Sequence, residues 1–250
     1  MSGHSKWSTI KRKKAKVDQA RGRLFSRLTR EVIVAAREGG GDPDTNARLR
    51  LAIDNARANN LPNENVDRAI RRGTGELPGV DYESVWYEGY APGGVAVLIE
   101  TLTDNRNRTV GELRHIFTKR GGSLAESGSV AWQFEAKGTL LVDAEGVDED
   151  SLMMTVLEAG AEDMSREGDA FYIVTPVEAL DAVEQAVGAA GFTHRDAQLA
   201  RVPKNYLDLP ADQQLQALRV LEAIEEQDDV QNVYTNLDID DAVADALDEA

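Results

Sequence analysis

The 250-residue sequence contains no cysteine. That excludes a disulfide framework, a thiolate zinc site and a cysteine nucleophile, and it fits a reducing cytoplasm. Histidine is scarce, and His4, His115 and His194 are too far apart for a spacing such as HExxH, so no metal or cofactor is expected. The glycine clusters Gly39 to Gly41 and Gly73-Thr74-Gly75 lack both the GK[ST] of a phosphate loop and the full dinucleotide fingerprint, and they read as turns. Long apolar runs are also missing. Val95 to Ile99 is strand-sized, far short of the roughly 20 residues of a membrane-spanning helix. The first 25 residues are basic with no apolar stretch behind them, which is not the pattern of a secretory signal. With no nucleophile–base pair and no metal motif, the expectation is a cytoplasmic protein that is not an enzyme, meets no membrane and takes no small-molecule substrate.

Charge is abundant and unevenly placed. The net formal charge of −16 suggests a surface that repels phosphates. Residues 1–78, however, carry 17 Lys+Arg against 9 Asp+Glu, a net of +8, while residues 79–250 carry 11 against 35, a net of −24. At physiological salt the Debye length is about 8 Å, so a basic domain acts locally and is largely screened from acidic domains tens of ångströms away.

The length suits one large domain or two to three small ones. Val17 to Glu38 places Val17, Leu24, Phe25, Leu28, Val32 and Ala35 at helical spacing before Gly39, and it puts Arg23, Arg27, Arg30 and Arg37 on the opposite face as one continuous basic surface. A second helix, capped by Asp44 or Thr45, runs to Asn59-Asn60, and a third follows Pro62 and stops at Gly73. These three make a bundle over residues 1–78. Two β-rich runs then flank Ala91-Pro92-Gly93-Gly94, a helix follows Thr109, and a strand is expected near Val130 to Phe134, giving ββαβ. From Thr139 the order is βαββαβ, which is ferredoxin-like. A last helix and the strand Val230 to Tyr234 have no partner in their own stretch and are expected to return to the earlier sheet.

The fold class is therefore α+β, an N-terminal three-helix bundle followed by two small α/β (ferredoxin-like) domains, one inserted in the other. The expected boundaries are 1–78, a discontinuous 79–136 plus 204–236, an inserted 137–203, and a frayed acidic tail over 237–250.

Three strings go beyond composition: GHSKW at 3–7, YEGYAPGG at 87–94 and LTDNRNRT at 102–109. With FSRLTREVIVAAREGG at 25–40 and GSVAWQF at 128–134, they resemble the YebC/PmpR family from Gly3 to about Tyr234. The resemblance implies a three-domain cytoplasmic protein. Bacterial members are described as DNA-binding transcriptional regulators, mitochondrial relatives as translational activators, and some bacterial members as relieving ribosomes stalled on proline runs.

In the first 30 residues Lys6, Lys11, Arg12, Lys13, Lys14, Lys16, Arg21, Arg23, Arg27 and Arg30 face a single acid, Asp18. A solvated helix face does not require such one-sidedness, whereas phosphate neutralisation with counterion release does. Trp7 in this arm either stacks on a base or staples the arm to the bundle. Asn105, Arg106, Asn107 and Arg108 form a donor-rich segment before a helix N-terminus, suited to phosphates or RNA edges; the alternative is that Thr103, Asp104 or Asn105 caps the helix and the arginines pair with carboxylates. Arg114, His115, Lys119 and Arg120 either extend this patch or are ordinary surface charge. The expected partner is a DNA duplex, read by a regulator of transcription, with ribosomal RNA on the ribosome as the alternative. No helix pair shows a clear recognition helix for specific base readout.

Overall fold

The computed structural model describes residues 18–240 and 242–244, with side chains from Gly22 onward. Helix α1 (Asp18–Gly39) buries Leu28, Val32, Ile33, Ala35 and Ala36 against Leu49, Ala52, Ile53 and Ala56 of α2 (Ala47–Ala58) and Val66 and Ala69 of α3 (Asn63–Gly73). The N-cap of α2 is Asn46, not Asp44 or Thr45. Its side chain accepts from the Leu49 amide at 3.0 Å and donates to the carbonyls of Ala35 and Gly40, both at 2.8 Å, so one amide caps α2 and ties it to the end of α1. A cap that bonds in both directions outcompetes its neighbours, a choice that local propensity does not reveal.

Strands β1 (Glu83–Ala91) and β2 (Val95–Thr103) form an antiparallel hairpin, with Gly93 and Gly94 supplying positive φ at the turn. The short β3 (Ser123–Ala125) pairs with β1, and β8 (Val230–Thr235) pairs with β2, giving the sheet order β3-β1-β2-β8. Alternation along β2 divides its burial. Val95, Val97 and Ile99 pack with Leu113, Ile116 and Phe117 of α4 (Arg106–Lys119) and Leu218 and Leu221 of α7 (Ala211–Glu225), while Ala96 and Leu98 pack with Val130, Phe134, Ala200 and Tyr234 on the other face. Covered on both faces, the strand reads in sequence as an unbroken apolar run.

The second sheet has the order β5-β6-β4-β7, built from β4 (Phe134–Asp143), β5 (Asp163–Glu167), β6 (Ala170–Thr175) and β7 (His194–Pro203), all pairs antiparallel. Helices α5 (Glu149–Glu158) and α6 (Leu180–Ala189) cover one face through Leu152, Val156, Val183 and Val187. The fold is α+β, with three N-terminal helices followed by two four-stranded antiparallel sheets, the second in ferredoxin-like order.

Two expectations fail locally. The strand after α4 is Ser123–Ala125, not Val130 to Phe134. The segment before Phe134 cannot enter a ladder because the amides of Gly128, Val130 and Ala131 donate to the buried Glu88 carboxylate at 2.7, 2.6 and 2.9 Å, and residues 131–133 form a 3₁₀ turn. Nor is the chain from 237 a frayed tail throughout. Leu237, Ile239 and Val243 are buried in the core of the first sheet, and Leu237 bridges to Leu207. Residues 245–250 lie outside the described residues.

Candidate nucleic-acid interface

Lys6, Trp7, Lys11, Arg12, Lys13, Lys14 and Lys16 lie outside the described residues, as does the Arg21 side chain. On the described part of α1, the predicted basic face is not one continuous solvent surface. Helix α7 ends at Glu225, leaving carbonyls without intrahelical partners at the negative end of its dipole. Arg27 and Arg30 of α1 supply donors there. Arg27 donates to the Glu225 carbonyl, and Arg30 donates to the Asp228 carbonyl while lying 3.4 Å from an Asp229 carboxylate oxygen. Burial pushes the Arg27 pKa down despite the nearby Glu225. Arg30 also lies 5.4 Å from the centre of the Tyr82 ring, and Arg37 pairs with Asp81 at 2.9 Å. A helical projection shows which residues share a face, but it says nothing of whether another part of the chain will cover it.

The LTDNRNRT segment forms the β2–α4 junction. Asn105 is the N-cap of α4, accepting from the Arg108 amide at 3.2 Å, and Arg106 pairs with Glu83. Arg108 bridges Asp104 at 2.8 Å and Asp229 at 2.7 Å. Asp229, buried at the start of β8, also accepts from the hydroxyls of Thr109 at 2.8 Å and Thr103 at 3.2 Å. Burial acts to raise its pKa, but the hydrogen bonds from Arg108 and Thr109 outweigh it and hold the carboxyl below its usual value. Asp229 thus fastens both predicted regions, α1 through Arg30 and the junction through Arg108. Sequence inspection misses it because it stands in an acidic run, Glu222 to Asp229, that reads as solubilising.

Asn105, Arg106, Asn107 and Arg108 are all exposed, so pairing does not remove them from the surface. Along α4, Arg114, His115, Lys119 and Arg120 are exposed as well.

A cleft of about 590 Å³ opens between the helical bundle and the two sheets, lined by Arg27, Glu31, Arg48, Trp86, Glu100 and Tyr234 among others. Trp86 stacks on Tyr234 at 6.0 Å between centroids, and the Arg201 guanidinium lies 5.2 Å from the Trp86 ring centre. Glu100 is held by Asn232 at 2.9 Å and Tyr234 at 3.4 Å, and burial raises its pKa. Among the described residues no cluster of three or more His, Asp or Glu is arranged to hold a metal ion.

Comparison with known proteins gives consistent matches. A family model described as "TACO1/YebC protein N-terminal domain" matches residues 5–76, and one described as "TACO1/YebC second and third domain" matches residues 82–237. The chain is 56% identical over 243 residues to a "Probable transcriptional regulatory protein" of Pelotomaculum thermopropionicum, covering 96% of this chain and 100% of that one. It is 50% identical over 250 residues to a protein of the same description from Chlorobaculum tepidum, covering 100% of both. A crystal structure of a conserved hypothetical protein from Aquifex aeolicus superposes with a TM-score of 0.85 at 46% identity, covering 91% of this chain and 94% of that one.

Proposed function

The chain belongs to the TACO1/YebC family, and from that premise we propose that it is a cytoplasmic, non-catalytic regulator of gene expression that binds duplex DNA. The observation that carries this reading is the segregation of charge, with +8 over residues 1–78 in a chain of net −16. The names of the relatives as transcriptional regulatory proteins support it. Lys6, Lys11, Arg12, Lys13, Lys14, Lys16, Arg21 and Arg23 contact phosphates, with Trp7 beside them, and the exposed Asn105 to Arg108 junction adds donors. Arg27 and Arg30 fix the direction in which α1 leaves the body, since both are engaged at the end of α7.

The test compares the affinity of the full chain for a candidate promoter duplex, a random duplex and purified ribosomes at near-physiological salt. A promoter preference of about a hundredfold or more over the random duplex supports the reading. Stronger binding to ribosomes, with both duplexes weak and alike, overturns it in favour of ribosomal RNA. Replacing Lys11, Arg12, Lys13 and Lys14 with Ala should flatten the slope of log affinity against log salt by about 0.9 for each phosphate that the variant no longer neutralises.

A further inference from the structure

The acidic part of the chain, residues 79–250, has 11 Lys+Arg, and five of them fall between Arg106 and Arg120 beside one acid, Glu112. Elsewhere in this part, Lys137 pairs with Glu162, Arg195 with Asp143 and Lys204 with Glu135. Arg114, Lys119 and Arg120 are exposed and, among the described residues, form no ion pair; Arg166 and Arg219 share that state but stand singly on other elements, whereas these three lie together.

Helix α4 buries Thr109, Leu113, Ile116 and Phe117. At 100° per residue the opposite face carries Asn107, Gly111, His115 and Thr118 along its middle, with Arg114 on one flank and Arg108 and Lys119 on the other. The middle is low: a Cβ added at Gly111 would meet nothing within 4 Å. Gly weakens an exposed helix relative to Ala, and here the missing side chain leaves room between cations on both flanks. Phe117 is buried, so His115 is the aromatic ring on this face.

We propose that the outer face of α4 is a second phosphate-binding surface, which seats one backbone of a DNA duplex between Arg114 and the Arg108–Lys119 flank. The proposal rests on the reading of the chain as a duplex-binding protein and adds a contact separate from the N-terminal arm. Cations astride a shallow strip, Arg114 and Lys119 without ion pairs and Arg108 still 43% exposed beside Asp104 and Asp229, match a row of phosphates, and the choice of a duplex rests on that reading of the chain. At a Debye length of about 8 Å, this strip is seen by a phosphate lying on it, while more distant acidic surface is screened.

The experiment measures binding of the full chain to a random-sequence duplex across a salt series, for the wild type, the double variant Arg114→Ala/Lys119→Ala, and Gly111→Leu. All three positions are exposed, so folding is expected to persist, and a thermal melt checks it. The double variant should lower the salt slope by about 2 and weaken binding at least tenfold at about 0.1 M salt. Gly111→Leu leaves the charge unchanged and fills the strip, and it should weaken binding at least threefold, an effect that a general change of net charge cannot imitate. If both bind like the wild type while the arm variant loses affinity, the α4 face is a solvated surface and this proposal falls alone. If the wild type itself binds no duplex, the nucleic-acid reading falls with it. Loss of single-stranded RNA binding with duplex binding intact would overturn the assignment to DNA.

Discussion

Replacing Asp229 with Asn tests whether one buried carboxylate holds the helical bundle and the β2–α4 junction to the same point. Asp229 is 4% exposed and accepts from Arg108 at 2.7 Å, Thr109 at 2.8 Å and Thr103 at 3.2 Å, with Arg30 at 3.4 Å. Asn keeps the shape but loses the charge and turns an NH₂ group toward donors. A hydrogen bond to a charged group contributes about 1.5–3 kcal/mol. The share of Arg108 is smaller, because its side chain is 43% exposed and keeps Asp104. Thr109 and Thr103 still bond each other at 2.8 Å. The net expected loss is about 2–3 kcal/mol, which for a chain of this size lowers the melting temperature by about 4–12 °C. Urea unfolding at pH 7 measures it, with the more exposed Asp104→Asn as a comparison expected to cost less than about 0.5 kcal/mol. The pH dependence has a definite sign. The carboxyl titrates below its ordinary 3.8 in the folded chain, so its contribution is complete at neutral pH and lost as the pH falls below 3.8. The gap between wild type and variant should therefore narrow in acid. A variant within about 0.5 kcal/mol of wild type at pH 7, or a gap that widens in acid, would refute the reasoning.

Glu88→Gln should cost about 2–3 kcal/mol, because its carboxylate serves three backbone amides and Gln presents an NH₂ to one of them; hydrogen exchange should quicken across residues 126–133, and unchanged protection there would count against the assignment. Glu100→Gln should stabilise the chain at pH 7, since burial raises the Glu100 pKa and ionising it above its ordinary 4.5 penalises the folded state. Melting curves of that variant and wild type should converge as the pH falls to about 4, where both states hold the proton. Gly89→Ala should cost about 1–3 kcal/mol in a urea titration, because a Cβ there would lie 2.8 Å from the Ser123 carbonyl oxygen and press on the Phe117 ring, neither of which gives way cheaply.

The elements are legible wherever the chain's own periodicity sets them. The apolar stripe of α1, the Ala91–Gly94 turn between two β-rich runs and the βαββαβ order from Thr139 all read correctly, because each depends on residues within a few positions of one another. Errors arise where a distant partner intervenes. Val130 looks like part of a strand, but Glu88, 42 residues away, takes its amide. Asp44 and Thr45 look like caps, but Asn46 also bonds the end of α1. Leu237, Ile239 and Val243 look like part of an acidic tail, but their alternation fits the core beside α7. The candidate interface divides in the same way. That Arg27 and Arg30 sit opposite the apolar stripe is visible in the spacing; that Arg27 caps the end of α7 and Arg30 holds the turn after it is not.

The family, the α+β class, the order of elements and the gathering of positive charge in the first 78 residues were determined by the sequence alone, since composition, period and motif strings are properties of the chain in any conformation. Only the tertiary structure decided that the β2–α4 junction and the basic helix meet at Asp229, and that Arg114 and Lys119 stay without ion pairs on an open face among the described residues. Charge pairing across a hundred residues or more depends on which surfaces hydrophobic burial brings together, and no local spacing records it.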